Sequence, residues 1–344
     1  MLEGLREELL QPGAPGTAAR TTRQTLTDYA RSWLDQKKTN GMKPSTEARY
    51  LDALEHAILP VLGSKHVDEI GRTDIKTWLS WAARSRDRRG RLRVHATVNA
   101  WLRILKSLLR DAVGDLELER DPTMGVKALS SQPTRVTEDE PNSLASDELR
   151  RFLEAAAKEK PEVYAICVLG FFTGMRFGEI AALRWKDVSE DEGLIHIRQS
   201  VWRNRITTTK TGKTRSAALH PIILDAFHAH RAALVARNLP VMGAALVFPS
   251  GKGSCHRASY LKRPFARILK AAQIKMRFSP HGMRRTYNNL MRQEHVDRAV
   301  LHATIGHSSD KMTEHYSHVT KEEKLAAVDR LARLVVPKAD PIKK

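Results

Sequence analysis

Apolar residues recur at helical spacing through the first third of the chain, and each run stops at a helix-breaking or polar segment. Tyr50, Leu51, Leu54, Ala57 and Ile58 form one stripe after Pro44 and Ser45, closed by Pro60 and Gly63. Ile75, Trp78, Leu79 and Ala82 form a second, with Thr73 placed to cap it, and Val98, Trp101, Leu102, Leu105, Leu109 and Ala112 form a third. Residues three and four apart share one helix face, so each stripe needs a partner surface. With a first helix around 26–34, the pattern predicts a small helical bundle over residues 25–130.

Residues 1–24, with Pro12, Gly13, Pro15 and Gly16, read as a flexible N-terminal segment, and 131–144, rich in Thr, Pro, Glu and Asp, as a linker. A second domain is expected over 145–322, opened by Ser146 as a helix cap with Asp147 and Glu148 behind it. Two stretches, 194–198 and 214–219, have strand-like composition, with Thr211-Gly212-Lys213 as the turn between them. Helices are expected at 222–237, 261–272, 281–293, 297–304 and 309–316. Thr320-Lys321-Glu322-Glu323 has the form of a capping box that opens a last amphipathic helix, followed by a basic tail, over 323–344. The fold class is therefore mainly α with a small antiparallel β-sheet.

The chain of 344 residues carries 58 Lys and Arg against 39 Asp and Glu, a formal charge of +19. Such an excess favours a polyanion, because each phosphate that a basic side chain neutralises releases counterions. Arg84, Arg86, Arg88, Arg89, Arg91 and Arg93 crowd one connection with a single Asp87 between them. That connection reads either as a solvated loop or as a phosphate-contacting one, and the overall charge favours the second. Arg103 and Lys106 lie on the polar face of the third helix and join the candidate DNA contacts, as do Lys213 and Arg285. The two cysteines, Cys167 and Cys255, lack metal-ligand spacing. Cys167 reads as a buried thiol in an apolar run, and a disulfide between the two stays open. No apolar run reaches membrane-spanning length and no signal peptide is visible, so a cytoplasmic protein is expected. HExxH and GxxxxGK[ST] motifs are absent, so neither a metal nor a nucleotide cofactor is expected.

Four segments of the second half stand apart: Thr173-Gly174-Met175-Arg176-Phe177-Gly178-Glu179-Ile180, Thr209-Lys210-Thr211-Gly212, His281-Gly282-Met283-Arg284-Arg285-Thr286, and Ile305-Gly306-His307-Ser308-Ser309 followed by His315-Tyr316-Ser317-His318. Each alone is weak. Together, in this order and with His307 nine residues before Tyr316, they resemble the signature boxes of the tyrosine recombinases, the phage integrase family. The resemblance covers 145–320 closely and 25–130 more loosely, as the family's helical (SAM-like) core-binding domain.

What the resemblance implies is strand transfer on DNA. Phosphoryl transfer depends on positioning and on stabilising negative charge, and planar guanidinium groups hold phosphate oxygens well. Arg176 and Arg284 match the family's two catalytic arginines. Tyr316 matches the nucleophile, with Tyr287 the competitor by proximity among six tyrosines. Lys210 matches the lysine that protonates the departing 5′ hydroxyl, and Lys213 could serve instead. His281 and His307 match the residues that assist proton movement or donate to the phosphate, and Glu179 a supporting acid that shares a helix face with Arg176. The family needs neither metal nor ATP, and cleaves through a 3′-phosphotyrosine in a tetramer on duplex DNA, clamped between its two domains. The 24 residues before the bundle are shorter than the arm-binding domain of many integrases, so either the two-domain form or a truncated start is expected, and a DNA-bending accessory protein becomes an open partner. Two alternatives stand beside recombination: type IB topoisomerase-like relaxation, and DNA binding without cleavage.

Overall fold

The computed structural model describes residues 23–130, 142–208, 214–251 and 253–305. The chain divides into two compact units, Met1–Thr134 and Arg135–Lys344.

The first unit is the helical bundle that the apolar stripes require. Helix α1 (Leu26–Thr39) is capped by the Thr25 hydroxyl, which accepts from the Asp28 N–H. Helix α2 (Pro44–Ala53) runs into a π-helical turn, Leu54–Ile58, and a short α3, Leu59–Leu62. Pro60 was expected to end this helix. It is instead carried through, because the π turn widens the backbone just before a residue that cannot donate an N–H; Leu59 reaches back to the Leu54 carbonyl. Helix α4 (Arg72–Arg84) is capped by Gly71, whose N–H donates to Asp74 at 2.9 Å. Thr73 lies inside this helix and not at its cap. Helix α5 (His95–Asp115) presents Val98, Trp101, Leu102, Leu105, Leu109 and Ala112 to the core, all buried. Polar ties reinforce the packing where aromatic rings need partners: Trp33 donates to Asp111 at 2.6 Å and Trp78 to the Ala57 carbonyl at 2.7 Å.

The second unit surrounds a helix that is apolar on all sides, α7 (Pro161–Thr173), with Val163, Ala165, Ile166, Cys167, Val168, Leu169 and Phe171 buried. Such a helix belongs at the centre of a domain. Helix α6 (Ser146–Ala156) covers it and is capped by Ala145, whose N–H donates to Glu148; Ser146, expected as the cap, is the first helical residue. After the short α8 (Phe177–Ala182), strands β1 (Val188–Ser189), β2 (Leu194–Ile197) and β5 (Arg215–Ala218) form an antiparallel sheet in the order β1-β2-β5. Between β2 and β5 the chain inserts a hairpin, β3 (Gln199–Trp202) and β4 (Arg205–Thr208), turned by Arg203 and Asn204 at φ +45° and +65°. Sequence reading expected strands at 194–198 and 214–219 and did not foresee the β3–β4 hairpin between them; two consecutive positive φ values are the signature of a tight two-residue turn. Helices α9 (Pro221–Val235), α10 (Lys262–Ala271), α11 (Pro280–Gln293) and α12 (Arg298–Ile305) complete the described part. Both cysteines are free and buried. Among the described residues no helix is long and apolar enough to cross a membrane.

Phe152 of α6 joins these layers: its ring lies 5.3 Å from Phe171, 5.5 Å from Phe265 and 5.7 Å from Phe278, in edge or tilted contacts. It is fully buried. Phe152→Ala is expected to destabilise this unit by about 3–5 kcal/mol, read as an earlier unfolding midpoint in a urea titration.

Candidate active site

The site is built on the turn between α7 and α8. Gly174 ends α7 with φ +61°, a left-handed conformation, and a Cβ there would also stand 2.7 Å from the Tyr287 ring and 3.1 Å from Ile305. Glycine meets both demands. The close approach lets Arg284 of α11 reach across: its Nη1 donates to the Gly174 carbonyl at 2.7 Å, and its Nη2 to the Ile305 carbonyl of α12 at 2.6 Å. The guanidinium is buried, with the residue only 2% exposed. Arg284 thus ties together two segments that the chain keeps far apart.

Arg176 lies two residues after Gly174 and caps α8. Its backbone N–H donates to Glu179 Oε2 at 2.8 Å and its Nη1 to Oε1 at 3.0 Å. The expectation that Glu179 sits on the same side as Arg176 is met. Gly178, between them, allows α8 to lie against β3: a Cβ there would meet the Val201 carbonyl oxygen at 2.8 Å. The Glu179 side chain is wholly buried, and a buried carboxylate must be compensated. Arg215 of β5 supplies most of that compensation, with Nη1 3.1 Å from Oε1 and Nη2 2.7 Å from Oε2. Burial pushes the Glu179 carboxyl up, but the Arg215 hydrogen bonds and the charges of Arg215 and Arg176 outweigh it and hold the group below its ordinary value of 4.5. Arg215 also donates Nε to the Thr304 carbonyl at 2.8 Å.

Sequence reasoning missed Arg215. Its one local signal is position: it alternates with the buried Ala217 on β5 and pairs in register with the buried Ile197, a charged residue on the covered face of a strand. His281 sits in the first turn of α11, one helical turn before Arg284 and half-buried, and Arg284 reaches the turn that carries Arg176 and Glu179. Arg285 is half-buried beside Arg284. Tyr287, the competing tyrosine, is packed against Leu301 and Ile305, and burial pushes its phenol up; it serves as a wall. Lys210, Lys213, His307, Tyr316, His315 and His318 lie outside the described residues, as do the expected turn at 211–213, the helices at 309–316 and after Thr320, the N-terminal segment to residue 22, and residues 131–141 of the linker.

Of the remaining DNA-contact candidates, the arginine-rich connection is an ordered turn and not a loose loop. Asp87 accepts from the backbone N–H groups of Arg89 and Arg91 and from the Arg91 side chain at 2.9 and 2.7 Å. Those bonds hold its carboxyl down at about 2. Arg86 donates to the Gly90 carbonyl, and Arg93 lies over the Trp101 ring at 4.7 Å. Arg84, Arg88 and Arg89 are exposed. Arg103 is exposed, with Nε on the Asn99 carbonyl, while Lys106 donates to the Val126 carbonyl at 2.6 Å and so engages its ammonium with the protein's own backbone.

Residues 142–323 match the family model described as Phage integrase family, and 25–81 the phage integrase N-terminal SAM-like domain. The chain belongs to the phage integrase family. It is similar to a tyrosine recombinase XerC-like protein of Caldanaerobacter subterraneus subsp. tengcongensis, 23% identical over 70% of this chain and 66% of that protein, just under two thirds of its length. Among solved structures it is similar to the Tn1549 transposon integrase in complex with transposon right end DNA (20% identity, TM-score 0.71, 90% of this chain and 100% of that one). It is also similar to the lambda integrase tetramer bound to a Holliday junction (16% identity, TM-score 0.63, 94% of this chain and 82% of that one).

The depressed Glu179 carboxyl makes stability depend on pH. The unfolded chain binds the proton more readily, so the contribution is present above 4.5 and is lost as pH falls below it through the folded value. Glu179→Gln should therefore be less stable than the parent at neutral pH, and the gap should narrow on acidification. Thermal melts of both proteins across that range check this.

Proposed function

We propose that this protein is a site-specific DNA recombinase that integrates or excises a mobile element through a 3′-phosphotyrosine. The observation that carries the reading is that Arg284 closes onto the Gly174 carbonyl, 110 residues away, beside Arg176. Two cationic boxes that are remote in sequence thereby flank one backbone turn, as a site for a single phosphate requires. Membership of the phage integrase family supports the same reading.

In this mechanism Arg176 and Arg284 neutralise the nonbridging oxygens of the scissile phosphate. The Tyr316 phenol loses its proton with the help of His281 and attacks phosphorus, while His307 donates to a phosphate oxygen. The bond to the 5′ oxygen breaks, and Lys210, in the connection between β4 and β5, protonates the leaving hydroxyl. The 5′ hydroxyl of a partner strand then attacks the phosphotyrosine and releases Tyr316. One phosphodiester is exchanged for another, so the bond energy is kept and no ATP is consumed. The protein works as a homotetramer on two duplex sites, where a DNA-bending accessory protein can assist, within the cytoplasm and at the nucleoid. The bundle over 25–130 serves as the core-binding domain, 131–144 as the linker and 145–322 as the catalytic domain. Arg84, Arg88 and Arg89, with Arg86, Arg91, Arg93, Arg103, Lys106, Lys213 and Arg285 around them, supply phosphate contacts.

A nicked suicide duplex should trap a covalent protein–DNA adduct with the parent protein and none with Tyr316→Phe, while DNA binding persists. An adduct of equal yield in that variant would refute the assignment. Exchange of strands between two labelled duplexes separates recombination from simple relaxation. Arg88→Ala and Arg89→Ala should each weaken binding alike on all sequences and reduce the slope of log K against log salt by about 1, which a salt titration by fluorescence anisotropy measures.

A further inference from the structure

The fork from Arg215 to Glu179 does more than satisfy a buried acid. Glu179 touches two guanidinium groups. Arg176 gives its carboxylate one Nη donor at 3.0 Å and keeps a side chain 20% exposed; Arg215 gives two donors and is 10% exposed. The third Arg215 contact, Nε to the Thr304 carbonyl, sits one residue before the Ile305 carbonyl that Arg284 holds. Two successive carbonyls of α12 are thus taken by two different arginines.

An Arg176–Glu179 pair alone would be neutral and would attract a phosphate weakly. Two guanidinium groups on one carboxylate leave a net positive charge, and the group that remains partly open to solvent is Arg176. We propose that Arg215 is a positioning residue for the phosphate-binding arginine: it orients and neutralises Glu179, so that Arg176 keeps its aim and its charge for the scissile phosphate. Arg215 touches no reacting atom in this scheme. Its hold on Thr304 also ties β5 to α12. This inference rests on the proposed chemistry at Arg176.

The test is single-turnover adduct formation on a nicked suicide duplex at saturating protein. The rate constant reports positioning, and the amplitude counts correctly folded protein. Arg215→Gln should lower the rate constant by about a hundredfold with little change in DNA affinity, and Arg215→Lys, which restores charge without the planar fork, should recover part of it. The distinguishing arm uses a duplex whose scissile phosphate carries a methyl group in place of one nonbridging oxygen. That phosphate is neutral, so the penalty of either variant should shrink on it. Equal penalties on both substrates would show a merely structural role, and an unchanged rate constant would show none; either outcome overturns the proposal. Where Arg215→Gln does not fold, Arg215→Lys alone supplies the comparison. If the parent protein forms no adduct, the nucleophile reading falls, and this inference with it.

Discussion

A carboxylate without solvent lies beneath the turn that joins α7 to α8, and the rest of the site follows from compensating it. Removing one partner of a buried ion pair costs about 3–5 kcal/mol, so Glu179 requires its cationic neighbours to be in place. One of them comes from the adjacent turn of chain and the other from a strand 36 residues away. The second requirement fixes β5 against α8, and through β5 the sheet. Because Arg215 has a donor left after the carboxylate is served, Thr304 of α12 is drawn to the same point. A single buried charge thus sets the relative placement of a turn, a strand and a helix.

Helix ends supply the remaining order. α7 ends in a left-handed glycine, α8 begins at Arg176, and α11 begins just before His281. Each end leaves backbone groups without helical partners. Here the carbonyls of Gly174, Thr304 and Ile305 become acceptors for arginine side chains. A guanidinium held by backbone carbonyls has little rotamer freedom left, so its orientation is settled before any phosphate arrives. Preorganised charge of this kind stabilises a transition state without reorganising during the reaction.

The bundle was legible in the sequence because its information is local: Val98, Trp101, Leu102, Leu105 and Leu109 repeat at the period of the helix and are buried as the period demands. Helix starts were less legible. Thr73 and Ser146 are good capping residues, yet Gly71 and Ala145 hold those positions, because Asp74 and Glu148 reach back to their N–H groups. The cap was decided by the residue at the third helical position, which a search for cap types overlooks. Pro60 misled in the same way, since its usual effect was absorbed by a π turn. The boxes with Arg176 and Arg284 were legible as motifs, whereas Arg215 was not. Its role depends on a carboxylate that only the fold brings near, and nothing in Thr214-Arg215-Ser216 announces it.

The high arginine content divides into two populations with opposite physical demands. Arg215 and Arg284 are buried or nearly so, and donate to carboxylate and carbonyl oxygens at 2.6 to 3.1 Å. Arg88 and Arg89 stand in solvent on a turn whose shape is kept by Asp87. The first group acts at short range in a weakly screened interior, and the second at long range through water and salt. Asp87 shows how the two roles are kept apart even within one short connection. It draws Arg91 and two backbone N–H groups to itself, which neutralises one arginine and leaves the tip to present the others. Net charge counts all of these residues alike, which is why +19 pointed to a polyanion but could not say which arginines face it.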